Sequence, residues 1–289
     1  MLFDIMNELF DDLNYWENLS GGYSSEIKYV VHTSNDVYIV RFSDRELYPR
    51  RKKEYDMMKH FHEAYSFSTQ SLSCGIIENY AYIITTWIDA HHLENLSDSE
   101  LYDLGLQAGH IHKAYHQIPI EAKRVNMADK YRKKLAYYLE SKDRLDNDEP
   151  IIAYIQEHMH LIEDRPLAYS QGDFHINNML INKDNILCII DFNRCDLNDP
   201  YEDFYKMQLF DPTPFKNGHL HAYFDGDVPE SFWRIQALYV AVATLSSINW
   251  ARDTQSESEV QIMKDIAQKS CDDYDYYSNL IPVWYQKKL

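Results

Sequence analysis

Ser170-Gln171-Gly172-Asp173-Phe174-His175-Ile176-Asn177-Asn178-Met179-Leu180, followed after a short gap by Ile189-Ile190-Asp191-Phe192, decides how this chain is read. Asp173 and Asn178 fit on one loop, and Asp191 closes an apolar run, Ile186-Leu187-Cys188-Ile189-Ile190, that reads as a buried strand. Such a trio of oxygen-bearing side chains can hold Mg²⁺ and orient a hydroxyl. Phosphoryl transfer asks little covalent chemistry of a protein, so a positioning carboxylate and oxygen ligands for a phosphate-bound cation are nearly the whole requirement. Either half alone, an Asp-x-His or an Ile-Asp-Phe, is common at turns and strand ends; the joint pattern carries the reading.

The pattern resembles the His-Gly-Asp-x-His-x-x-x-Asn and Ile-Asp-Phe/Trp signatures of aminoglycoside phosphotransferases and related small-molecule kinases. The resemblance implies an α+β, bilobal protein-kinase-like fold, with a small β-rich N-lobe over residues 1–88 and a larger, mostly helical C-lobe over 89–289. It also implies roles: Asp173 as the catalytic Asp that accepts or orients the hydroxyl proton, Asn178 and Asp191 as metal ligands, and His175 as a structural member of the loop. Gln171 stands where the family usually has His, and Gln can still donate and accept the hydrogen bonds that shape a loop.

The likeness extends upstream. Leu19-Ser20-Gly21-Gly22-Tyr23-Ser24-Ser25 resembles the family's nucleotide-covering loop, with Gly21, Gly22, Tyr23 and Ser24 over the nucleotide; an ordinary hairpin turn is the competing reading. Val37 to Phe42 alternates as a strand and puts Arg41 where protein kinases carry the phosphate-binding Lys. A surface Arg on a strand is the alternative. Glu54, in the helix-like run Arg51 to Phe61, is the candidate partner of Arg41, against a solvated Glu among basic residues. Arg50 to Lys53 reads as a wet helix face. The resemblance makes Thr85 to Ala90 the hinge, with Thr86, Trp87 and Ile88 seating the adenine of ATP; GTP is equally compatible.

Composition narrows the function classes. The 289 residues, 45% hydrophobic, suffice for a good core. No apolar stretch approaches 18 residues, and residues 1–26 hold six acidic side chains and no Lys or Arg, unlike a signal peptide, so a cytoplasmic protein is expected. Four Cys without a Cys-x-x-Cys pair read as free thiols. A net charge of −18 argues against a nucleic-acid binder and suits a cationic substrate. His112 and His116 share a helix face, yet no Glu follows His112 as a zinc-hydrolase motif demands, so packed or exposed histidines are expected.

Residues 2–18 show Leu2, Ile5, Leu9, Leu13 and Trp16 at helical spacing, predicting one acidic amphipathic helix. Strands are expected over 27–33, 37–42, 72–77 and 80–87, with a helix over 50–64 between the second and third. Ser97 to Glu100 is a capping box, and further helices are expected near 128–144, 149–160, 229–251 and 257–277. Asn198-Asp199-Pro200-Tyr201-Glu202-Asp203-Phe204 resembles the family's Gly-Asp-Pro-x-x-Asp-Leu/Phe segment, which makes Asp199 and Asp203 structural. Asp196, Glu202 and the cluster Asp272, Asp273 and Asp275 are candidates to meet substrate ammonium groups, by the same resemblance. The segment 210–226, aromatic and without a clear period, reads as a variable loop over the substrate cleft.

These readings predict a Mg²⁺-dependent kinase moving the γ-phosphoryl of ATP or GTP to a hydroxyl of a small cationic molecule such as an aminoglycoside, with antibiotic resistance as its biology and no nucleic-acid or membrane partner. Two rivals stand beside it. One is a housekeeping kinase acting on choline, homoserine or a sugar, because a fold does not fix the acceptor. The other is a nucleotide-binding regulator without transfer activity, suggested by the departures at Arg41 and Gln171.

Overall fold

The computed structural model describes residues 2–19, 26–121, 123–254 and 257–287. In chain order the strands are β1 Leu13–Asn18, β2 Ile27–Thr33, β3 Val37–Asp44, β4 Ser71–Ile77, β5 Tyr80–Thr86, β6 Ala90–His92, β7 Arg124–Val125, β8 Arg165–Pro166, β9 Ala168–Ser170, β10 Met179–Asn182, β11 Leu187–Ile189 and β12 Asp196–Asn198. The helices are α1 Leu2–Leu9, α2 Tyr48–Ala64, α3 Asp98–His116, α4 Ala128–Leu139, α5 Glu149–His158, α6 Tyr205–Phe210, α7 Thr213–Tyr223, α8 Glu230–Thr254 and α9 Glu257–Asp273. The chain divides into two compact units, residues 1–92 with 178–196, and residues 93–177 with 197–289.

The first unit is built on an antiparallel sheet of order β1-β2-β3-β5-β4. Alternation sorts its side chains: Val40 and Phe42 on β3 join Ile5, Met6 and Phe10 in one core cluster, while Arg41 between them points away from it. The helix expected over residues 2–18 ends at Leu9, and β1 follows, pairing Trp16 with Val31. A register shift between Leu13 and Tyr15 explains the misleading period. The extra residue of this bulge puts Leu13 and Trp16, three apart, at the two partly buried positions of the strand, which imitates a helical stripe.

The hairpin that carries Asp191 belongs to this first unit. β10 pairs with β6 as well as with β11, Thr69 N donates to Ile189 O at 2.9 Å, and the Tyr65 hydroxyl donates to Leu187 O at 2.7 Å. These bonds tie a segment nearly a hundred residues downstream of β6 into the amino-terminal unit.

The second unit is helical. The Ser97/Glu100 capping box starts α3, with Glu100 N donating to Ser97 Oγ and Ser97 N to Glu100 Oε2. Its largest core cluster gathers Tyr131, Leu135 and Tyr138 of α4, Ile151 and Ile155 of α5, and a long row from Ile235 to Ala251 on α8. The expected loop over 210–226 is instead the end of α6 followed by α7. Every residue from Phe215 to Ala222 is buried, polar Lys216, Asn217, His219 and His221 included, so this stretch has no solvent-facing side and leaves no period to read. It lies backbone to backbone on α3: a Cβ at Gly218 would stand 2.2 Å from Tyr102 O, and one at Gly105 2.3 Å from Phe215 O.

Candidate active site

In the second unit β9 ends at Ser170 and the chain turns through Gly172, whose φ of 80° lies in the left-handed region that favours glycine. The loop is held amide by amide. Gln171 N and Gly172 N donate to the two carboxylate oxygens of Asp203 at 2.9 and 2.8 Å, Asp173 N donates to Gln171 Oε1 at 2.7 Å, and Ile176 N donates to Asp211 Oδ1 at 2.9 Å. Gln171 therefore performs loop-shaping work with its side-chain oxygen. Phe174 is buried and stacks on the His112 ring, 4.1 Å between centroids. Asp173 Oδ1 is 2.9 Å from Lys206 Nζ and 3.5 Å from His175 Nε2.

Behind the loop stands a buried polar chain. His112 Nε2 lies 3.2 Å from Asp203 Oδ2 and His112 Nδ1 2.9 Å from His219 Nε2, while the Tyr223 hydroxyl meets His116 Nδ1 at 2.7 Å. Burial and the neighbouring His116 push His112 down to about 4. Burial works against ionising Asp203, but the bonds from His112 and His116 prevail and hold its carboxyl well below the usual range. His112, His116 and Asp203 are close enough to share a cation; both carboxylate oxygens of Asp203, however, already serve the loop amides. The two helix histidines, expected only to be packed or exposed, thus support the residue that shapes the loop.

In the first unit Arg41 and Glu54 form an ion pair inside a ring of four alternating charges. Arg41 Nη1 reaches Glu26 Oε2 at 3.3 Å, Arg51 Nη2 reaches Glu26 Oε1 at 2.7 Å, and Arg51 Nη1 reaches Glu54 Oε2 at 2.5 Å. All four side chains are at most 10% exposed, so the charges are balanced where water cannot screen them. Burial disfavours the charge on Arg41, but Glu54, Glu26 and Asp191 more than restore it, raising the guanidinium above its ordinary value. Arg51, read from sequence as part of a wet helix face, is buried.

Asp191 follows β11 with φ of 56°, an uncommon conformation for a side-chain-bearing residue that Asp tolerates better than most. Its neighbours fix it: Ile190 N donates to Asn178 O at 3.1 Å, and Phe192 is buried with its ring centroid 5.0 Å from that of Phe61 on α2. The bond to Ile190 ties the Asn178 backbone to the strand end that carries Asp191.

Thr86 ends β5 in two bonds with Gln70, Trp87 is exposed and its N donates to Val37 O at 3.2 Å, and Ile88 is half-buried. Gly21, Gly22, Tyr23 and Ser24 lie outside the described residues. Asp196 pairs with Lys53 on the surface. Glu202 is buried and accepts from the Tyr131 hydroxyl and from Lys130, both at 2.6 Å, and from Asn198. Asp199 accepts from Arg165 and from the Tyr239 hydroxyl, both at 2.6 Å, and Asp273 from Gln208 and Lys269. Sequence reasoning did not single out Glu26, Arg51, Lys206 or Asp211. The one signal available was position, since Lys206 and Asp211 lie just beyond the Asp-Pro-x-x-Asp-Phe segment.

The fold is shared with solved phosphotransferases. A thermostable mutant of aminoglycoside phosphotransferase APH(4)-Ia, in ternary complex with ADP and hygromycin B, superposes with a TM-score of 0.73 at 13% identity, covering 92% of this chain and 96% of that one. The GDP complex of aminoglycoside 2'-phosphotransferase-IIIa gives 0.68 at 14%, covering 93% and 97%. A protein assigned as a fructosamine-3-kinase, from Haemophilus somnus 129PT, gives 0.67 at 12%, covering 93% and 96%. No curated protein matches the sequence significantly. The family model described as the phosphotransferase enzyme family, APH, matches residues 16–233 and so takes in both the Arg41–Glu54 pair and the Asp173 loop. The chain belongs to that phosphotransferase family, and its fold is that of the aminoglycoside kinases.

Proposed function

We propose that this protein is a Mg²⁺-dependent kinase that moves the γ-phosphoryl of ATP or GTP to a hydroxyl of a small cationic acceptor of the aminoglycoside type. The observation that carries the reading is the placement of Asp191, whose neighbour Ile190 is bonded to the Asn178 backbone, in the field of a buried Arg41 that Glu54 and Glu26 hold in place. Arg41 would meet the nucleotide phosphates, and Glu54 would keep its guanidinium aimed. Asn178 and Asp191 would hold Mg²⁺, which when bound offsets the negative charge of the β- and γ-phosphates. Asp173, on a loop whose amides are pinned, would take the acceptor hydroxyl as hydrogen-bond donor and orient it.

The nucleotide assignment draws on relatives that hold ADP or GDP, and the acceptor class on the one that holds hygromycin B. The net charge of −18 supports a cationic acceptor, since an acidic surface speeds encounter with polyamines. A second reading, a metabolic kinase with a sugar-like acceptor, is favoured by the similarity to a fructosamine-3-kinase assignment. Mass spectrometry separates them: pooled aminoglycosides and amino-alcohol or amino-sugar metabolites are incubated with protein, Mg²⁺ and either ATP or GTP. A phosphorylated aminoglycoside supports the first reading and a phosphorylated metabolite the second. Nucleotide binding without any product would favour a regulator.

A further inference from the structure

Lys206 lies on α6, three residues beyond Asp203, and its ammonium stands 2.9 Å from Asp173 Oδ1. The contact is sheltered. The two side chains are 15% and 16% exposed, and the ammonium lies over the rings of Tyr205 and Phe210, 5.6 and 5.4 Å from their centroids. The His175 ring packs 5.1 Å from that of Phe210, so the aromatic wall holding Lys206 also holds the loop that carries Asp173. A lysine whose only task was solubility would extend into water rather than order its chain against two rings and a carboxylate.

We propose that Lys206 is a positioning residue for phosphoryl transfer: through Oδ1 it holds the Asp173 carboxylate that orients the acceptor hydroxyl, and it offsets the repulsion between that carboxylate and the arriving γ-phosphate. The proposal rests on the role given to Asp173 above. In the step itself the hydroxyl oxygen bonds to the γ-phosphorus while the bond from that phosphorus to the β–γ bridging oxygen breaks. The hydroxyl proton passes to Asp173, and a phosphate ester and a nucleoside diphosphate result. A carboxylate and a phosphate brought within a few ångströms repel strongly in a sheltered site. That repulsion peaks in the reacting complex, so a cation beside the carboxylate acts on turnover more than on the binding of either substrate.

The test is steady-state kinetics of wild type, Lys206→Met and Lys206→Arg, with Mg-ATP and the acceptor that gains phosphate in the pooled assay. Methionine keeps the packing against Tyr205 and Phe210 and removes the charge; arginine keeps the charge. Lys206→Met is expected to lower kcat by about 100-fold, with KM for nucleotide and acceptor moving by less than about threefold, and Lys206→Arg to recover about tenfold. A Lys206→Met enzyme with kcat within about threefold of wild type, or one changed only in KM, overturns the inference while leaving the role of Asp173 intact. A misfolded Lys206→Met leaves Lys206→Arg to decide: if folded but no more active than Asp173→Asn, it contradicts a charge role. Wild type that phosphorylates nothing overturns both.

Discussion

Arg41 on β3 and Glu54 on α2 are paired inside the first unit, with side chains 10% and 3% exposed. Glu54 also takes Arg51, and both arginines reach Glu26, so removing any one member leaves an uncompensated charge without water. Glu54→Ala is expected to cost about 3–5 kcal/mol in chemical denaturation. Arg41→Lys keeps the charge but loses the planar fork that spans two carboxylates, and is expected to raise KM for the nucleotide more than it lowers kcat.

The His112–Asp203 pair makes the protein acid-sensitive. His112 titrates near 4 when folded, below its ordinary value of about 6.5, so between those limits the unfolded chain binds the extra proton. Its contribution is complete above about pH 6.5 and is lost as the pH falls toward 4. Asp203, held below the usual carboxylate range, loses its contribution in the same direction at lower pH. Thermal melts from pH 7.5 down to 5 should fall for wild type, and His112→Gln should flatten that slope by up to about 2–3 kcal/mol.

Asp211 has the opposite sign. Burial pushes its carboxyl up to about 8, so it is largely protonated at neutral pH while Oδ1 accepts from Ile176 N. A raised folded value means that this contribution is full below the unfolded carboxylate value and is lost as the pH rises through about 8. Asp211→Asn keeps the acceptor and cannot ionise. It should melt close to wild type near pH 4 and increasingly above it as the pH rises toward 8.

The contact of α3 with α7 depends on missing side chains. Gly218→Ala would drive a Cβ into Tyr102 O, a helix backbone atom that cannot turn aside, and should cost about 1–3 kcal/mol. Gly75→Ala on β4 is the contrast: its Cβ would meet the Tyr82 ring and hydroxyl, the end of a side chain that can turn aside, so the melting temperature should move much less.

These contrasts also explain which parts of the molecule were legible in the sequence. β2 and β5 alternate against a core on at least one face, so the pattern of Ile27 to Thr33 and Tyr80 to Thr86 gave their bounds closely. The end of α1 was hidden by the bulge in β1, and α7 by burial on all sides. Asp173, Asn178 and Asp191 were conspicuous because loop and strand-end chemistry restricts residue type. Arg51 was not, because a buried arginine in a basic run looks like a solvated one until Glu26 and Glu54 are seen to surround it. Nothing local marks Lys206; its meaning comes from the fold bringing α6 onto the loop.

The most direct measurement is phosphoryl transfer to the pooled acceptors by wild type, Asp173→Asn and Asp191→Ala, with circular dichroism confirming that each is folded. Transfer by wild type, and a loss of about 10²–10⁴-fold in both variants at unchanged melting temperature, is the expected result. A folded Asp173→Asn that phosphorylates the same acceptor at the wild-type rate would contradict it.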